Sequence, residues 1–68
     1  MKTIEMDSIG QTDNFALRLA IFFWKEYNPN AVSIAYAELV KRGCPISKSI
    51  YEKMNEFLEN QLLVENEN

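Results

Sequence analysis

The side chains best suited to binding chemistry are concentrated in the middle of the chain. Between Ser33 and Lys53, four basic residues accompany only two acidic ones, a local balance of +2 in a chain whose net charge is −3. From Met54 onward every charged side chain is acidic. The overall negative charge argues against a protein that coats nucleic acid by charge alone, so any attraction for phosphate is confined to the middle stretch.

Catalytic chemistry has little support in this composition. The chain has no histidine to act as general base or metal ligand, and no glycine-rich phosphate loop. Its carboxylates fall on polar helix faces, where nothing would raise their pKa for acid catalysis. We therefore expect no enzyme, no cofactor and no metal.

Cys44 is the single cysteine, so no internal disulfide can form. It precedes Pro45 in a predicted turn. A small buried hydrophobe is one interpretation, and an exposed reactive thiol is the other.

A chain of 68 residues makes one domain with a small core. It has no disulfide or metal to stabilise it, so self-association is expected to help. The N-terminal MKTIEMDSIGQT contains no continuous apolar segment, which predicts neither a signal peptide nor a membrane span. The expected location is the cytoplasm.

The residues of the middle stretch must be positioned by a helical scaffold. FALRLAIFFWKEY predicts a strongly apolar first helix from about Asn14 to Tyr27, capped by Thr12 or Asp13. Residues 1–12 are expected to form a flexible arm or a short strand that pairs with a later one. Asn28-Pro29-Asn30 is predicted to end the first helix.

Two further helices complete the predicted fold. The second runs from about Ile34 or Ala35 to Arg42, with Ser33 as a cap and Gly43 after its end. The third runs from about Lys48 to Asn60, capped by Ser47, and its predicted buried stripe is Ile50, Met54, Phe57 and Leu58. The apolar run of residues 62–64 predicts one strand, which closes a domain of residues 13–64, and residues 65–68 are expected to be a disordered acidic tail.

The order helix, short connector, helix, tight turn, helix, strand resembles a winged helix-turn-helix domain. AYAELVKRG resembles the second helix of that family, PISKSIYEKMNEFLEN the third, and QLLVE the first wing strand. The fold class implied is mainly α, a three-helix helix-turn-helix core with at most a short β-strand pair and a truncated wing. FWKEYN and SIYEKMNEFL also show a fainter similarity to the small theta subunit of bacterial replicative DNA polymerase.

The resemblance implies a small dimeric DNA-binding transcriptional regulator whose third helix enters the major groove of double-stranded DNA. The side chains carried over for contacts to phosphates and base edges are Lys41, Arg42, Ser47, Lys48, Ser49, Glu52 and Lys53. The alternative is that they form an ordinary solvated face with one Lys48–Glu52 pair.

Acidic residues on the third helix support a different hypothesis. Glu52, Glu56 and Glu59 leave that helix with little charge to neutralise phosphates. A helix-turn-helix-like scaffold need not keep its usual ligand. The chain would then be a non-enzymatic interaction module, an inhibitor or accessory subunit, that docks on a basic protein surface.

Self-association is predicted from the first helix. Two short helices can cover only about half of its circumference, so some of its apolar side chains should stay exposed in a monomer. The side chains predicted to pair first helix against first helix in a homodimer are Leu17, Ile21, Phe22 and Trp24.

Overall fold

The computed structural model describes residues 1–66, and they are mainly helical, as expected. The three α-helices are α1 (Asn14–Phe22), α2 (Pro29–Lys41) and α3 (Lys48–Asn66). Short 3-10 helices, Met6–Gln11 and Trp24–Glu26, precede and follow α1. Extended pairing among the described residues is limited to one isolated bridge between Lys2 and Tyr27.

The start of α1 was predicted correctly, but its end was not. The Asp13 side chain accepts a hydrogen bond from the Ala16 amide at 2.8 Å and caps the helix. The helix ends at Phe22 instead of Tyr27, because Phe23 leaves helical geometry at φ −107° and ψ 42°. Beyond that point the backbone bonds to the N-terminal arm, which lies alongside it.

The N-terminal arm is therefore held in place. The Lys2 amide donates to the Glu26 carbonyl at 2.9 Å, and the Asn28 amide donates to the Lys2 carbonyl at 2.7 Å. The strand partner considered for the arm, residues 62–64, lies within α3. The arm pairs instead with the segment that joins α1 to α2.

The second helix begins earlier than predicted. Pro29 occupies its first turn, and the Asn28 side chain accepts from the Asn30 amide at 2.8 Å. Proline suits the first helical position because the amide it lacks would be unpaired there. The expected connector over residues 31–33 was wrong, and Ser33 is an exposed helical residue instead of a cap.

A glycine turn separates α2 from α3, as predicted. Gly43 adopts φ +72°; its amide donates to the Val40 carbonyl at 3.0 Å, and the Cys44 amide donates to the Leu39 carbonyl at 3.1 Å. These two bonds form a Schellman motif. Ser47 then caps α3, its hydroxyl accepting from the Ile50 amide at 3.2 Å.

The third helix is longer than predicted. It continues through the residues expected to form a wing strand and ends at Asn66. The expected strand over residues 62–64 was therefore wrong. Residues 67–68 of the predicted acidic tail lie outside the described residues.

The core lies where α2 and α3 both pack on α1. Its centre combines side chains from all three helices: Leu17, Ala20, Ile21, Ala31, Val32, Ala35, Leu39, Ile50, Met54 and Phe57. Leu58 was predicted to be buried with the α3 residues, but it is exposed. Across residues 1–66, no helix combines the length and apolar character needed to cross a membrane.

Candidate interaction surface

The outer side of α3 is a long helical face that the core leaves free. Ile50, Met54 and Phe57 recur at i, i+4 and i+7 and bury one narrow side of the helix. An α-helix turns about 100° per residue, so the remaining sides point away from α1. Two lines of exposed side chains follow those sides.

The first line is acidic. Glu52, Glu56 and Glu59 also recur at i, i+4 and i+7, and all three are exposed. Lys53 approaches Glu56 at 3.5 Å, with both side chains substantially in solvent. A surface pair of this kind contributes little to stability, and it leaves Glu52 and Glu59 as net negative charge on this face.

The second line is apolar and lies between the acidic line and the core. Tyr51, Leu58 and Leu62 are all exposed, with Asn55 between them at helical spacing. Single exposed apolar side chains are common on protein surfaces. Here three of them follow one edge of α3 beside the acidic line, so the surface combines apolar and negatively charged side chains. Only the acidic line was predicted from the sequence. The apolar line was not, because Leu58 was predicted to lie in the core and Leu62 in a strand.

The residues proposed for nucleic acid fall into two groups. Most of them lie exposed around the α2–α3 turn and the first turns of α3: Lys41, Ser47, Lys48, Ser49 and Glu52. Lys53 is half-buried and paired with Glu56. Arg42 and Lys53 form the second group, whose charged ends bind other side chains of this chain. The Arg42 guanidinium makes the most bonds.

Arg42 joins three parts of the structure. Its Nε donates to Glu38 Oε2, its Nη1 to Asn14 Oδ1 and its Nη2 to the Ile9 carbonyl, each at 2.8 Å. The guanidinium therefore links α2, the start of α1 and the N-terminal 3-10 helix. A phosphate contact by Arg42 would have to replace these bonds.

The residues proposed for a dimer interface are also divided by the structure. Leu17 and Ile21 are fully buried in the core, so neither offers surface to a second chain, which corrects their assignment. Trp24 is half-buried and packs edge-on against Phe57, with 6.0 Å between ring centroids. Phe22 remains exposed.

Among residues 1–63, whose side chains the structure describes, no group of three potential metal ligands comes together. Cys44 is a free, half-buried thiol that packs against the core. It is therefore neither fully buried nor fully exposed, the two states considered for it from the sequence. No protein-family model matches the chain, and searches of curated proteins and of solved structures also find no match.

Proposed function

We propose that this chain is a non-enzymatic protein-interaction module that docks through the outer side of α3. The observation that supports this function is the pairing of two lines on one helix. Glu52, Glu56 and Glu59 supply negative charge, and Tyr51, Leu58 and Leu62 supply apolar contact area beside it. The partner chemistry that fits is a protein surface with basic side chains along one edge of an apolar groove.

The two lines contribute in different ways. Complementary charge increases the rate of encounter and selects the partner, while the buried apolar side chains supply most of the affinity. An amphipathic helix that lies in a groove makes its contacts at i, i+3, i+4 and i+7. Tyr51, Leu58 and Leu62 follow that spacing, since they lie at i, i+7 and i+11.

Double-stranded DNA is the alternative ligand, and fewer features favour it. Arg42 is engaged by three acceptors inside the chain, and Lys53 is paired with Glu56. Lys41 and Lys48 remain exposed near the turn, beside the acidic line of α3. Phosphate neutralisation dominates DNA affinity, and two lysines beside that line supply little of it.

The test compares binding partners of wild-type protein and of two α3 variants. One variant, Leu58→Gln with Leu62→Gln, removes apolar contact area, and the other, Glu52→Lys with Glu59→Lys, reverses the acidic line. Met6→Gln, an equally exposed apolar residue outside α3, is the matched control. Partners captured from a cell extract are quantified by mass spectrometry, and circular dichroism confirms that each variant is folded.

The expected result is a partner protein retained by wild type and by the Met6 variant, and lost with both α3 variants. Fluorescence anisotropy with duplex DNA of random sequence, at 50 and 200 mM salt, measures the alternative. Saturable DNA binding that both Lys41→Ala and Lys48→Ala weaken, and that Glu52→Lys with Glu59→Lys strengthens, would contradict the proposal and favour the DNA-binding regulator.

A further inference from the structure

Helix α1 carries a second apolar face opposite the one that it buries. Leu17, Ala20 and Ile21 face the core. At about 100° per residue, a separate arc of about the same width lies on the far side of the helix. That outer arc consists of Phe15, Leu19 and Phe22, and Phe23 continues it at the C-cap, where its amide still bonds to the Leu19 carbonyl.

The outer arc is largely exposed. Phe15 is 68% exposed, Phe22 39% and Phe23 52%, while Leu19 is half-buried. An amphipathic surface helix normally presents charged or polar residues on the side opposite the core. Here Arg18 lies only at the margin of the arc, and Lys53 and Glu56 of α3 border only its Phe22–Phe23 end. The centre of the arc therefore has neither charge nor side-chain hydrogen-bonding groups.

We propose that this outer arc is a homodimer interface, and that its occupant is the same arc on a second copy of the chain. A surface without charge or polar groups is best covered by another of the same kind, and a two-fold axis brings identical faces together. A basic protein partner would instead be attracted to the acidic line of α3. Neither the interface nor its test depends on the function proposed for α3.

The exposed area is sufficient for a small dimer. With about 200 Å² for a phenylalanine side chain, the three rings together expose roughly 300 Å². Homodimer interfaces are about 65% apolar, so this area corresponds to roughly 500 Å² of interface per protomer, or about 1,000 Å² in total. That total reaches the lower limit of specific interfaces, which fits a reversible dimer instead of an obligate one.

The experiment is sedimentation equilibrium on the full chain from about 5 to 500 µM. The decisive variant is Phe15→Glu: this residue lies in the first turn of α1, where a negative charge is favourable to the helix, so the protomer should stay folded. Tyr51→Glu is the matched control, an exposed aromatic residue in the first turns of α3. Phe15→Leu keeps the arc apolar.

We expect wild type to shift from 7.9 kDa toward twice that mass over this range, and Tyr51→Glu and Phe15→Leu to follow it. Phe15→Glu should weaken the dissociation constant at least tenfold, with an unchanged far-ultraviolet circular dichroism spectrum. A wild type that stays at 7.9 kDa up to 500 µM overturns the proposal. So does a dimer that Phe15→Glu leaves intact, or one that Tyr51→Glu dissociates.

Discussion

Arg42 shows how one side chain can matter more to the fold than to a ligand. The sequence predicts a solvated phosphate contact, whereas the structure uses its guanidinium to connect three segments. Replacing Arg42 with lysine keeps the charge but removes the planar group that reaches three acceptors at once. A hydrogen bond to a charged group contributes a net of about 1.5–3 kcal/mol to stability. Because lysine cannot make all three bonds, we expect Arg42→Lys to destabilise the protein by about 2 kcal/mol or more.

Urea denaturation measures this loss, and hydrogen exchange of the Met6–Gln11 amides should show a matching loss of protection. Lys41→Leu is the control. Lys41 precedes Arg42 and is exposed, and its side chain forms no ion pair with the residues that the structure describes. If Arg42→Lys unfolds at the same urea concentration as wild type, Arg42 does not hold these segments together.

Gly43 is the residue at which backbone conformation determines the effect of replacement by alanine. Its φ of +72° lies in the left-handed region, while a Cβ at this position would meet no atom within 4 Å. Alanine would therefore be strained by the backbone alone, at a cost of about 1–2 kcal/mol. Gly10 also has open space but no positive φ, so Gly10→Ala should be neutral or stabilising by up to about 1 kcal/mol.

Thermal denaturation of these two glycine variants compares the strain directly. The expected order of stability is Gly10→Ala at or above wild type, and Gly43→Ala below it. Equal losses of thermal stability in both variants would mean that the turn between α2 and α3 does not require the left-handed conformation.

Among the helices, α2 offers the sharpest comparison between sequence and structure. The sequence places its cap at Ser33, and the structure places it at Asn28, whose side chain accepts from the Asn30 amide. Removing a true cap costs about 0.5–2 kcal/mol, so Asn28→Ala should lower stability by about 1 kcal/mol. Ser33→Ala should be neutral or slightly stabilising, because alanine is the better residue inside a helix.

Equilibrium urea unfolding of both variants under the same conditions tests this assignment. A loss for Ser33→Ala with no loss for Asn28→Ala would restore the shorter helix that the sequence predicts. Because both replacements introduce alanine, differences in the side chain added do not affect the comparison.

The helix boundaries show how far local sequence signals reach. Asp13, Gly43 and Ser47 were identified correctly, since each acts through bonds to residues no more than a few positions away. Asn28-Pro29 was not, because asparagine before proline is equally typical of a helix end and of a capped helix start. The run at residues 62–64 was too short to distinguish a strand from a helix by its pattern.

The interaction surfaces were harder to predict than the elements, for a different reason. Helix α1 is apolar on both sides, so its sequence shows two candidate core faces and does not say which one α2 and α3 cover. Leu17 and Ile21 were assigned to the surface, while Phe15 was not. Only the packing of the other helices decides the choice, and that depends on contacts between residues far apart in sequence.

At the scale of the whole molecule, the two proposed surfaces lie on different helices. The outer arc of α1 is neutral and suits a second copy, whereas the outer side of α3 is acidic and suits a basic partner. Phe22 and Phe23 line one surface cavity together with Lys53 and Glu56 of α3, so the two surfaces adjoin at that end. Pairing through the outer arc would therefore bring the Glu56 side chains close to the interface.

Dimerisation through α1 should also be visible in the stability of the protein. Only ten hydrophobic residues are buried among those whose side chains the structure describes, which makes a small core. Pairing therefore contributes a noticeable fraction of the stability. Above the dissociation constant, each tenfold rise in concentration stabilises a folded dimer by about 1.4 kcal/mol, or about 0.7 kcal/mol per protomer. For a domain of this size, that corresponds to an increase of roughly 3–6 °C in the thermal midpoint.

Scanning calorimetry at two concentrations tenfold apart, both above the wild-type dissociation constant measured by sedimentation, tests this increase. Wild type and Tyr51→Glu should both show it, and Phe15→Glu should show a smaller increase. A concentration-independent midpoint for wild type, in the presence of a dimer by sedimentation, would mean that the dimer forms without stabilising the fold. A dimer of folded protomers through the outer arc would then be excluded, because any association of the folded chain alone stabilises the folded state by mass action.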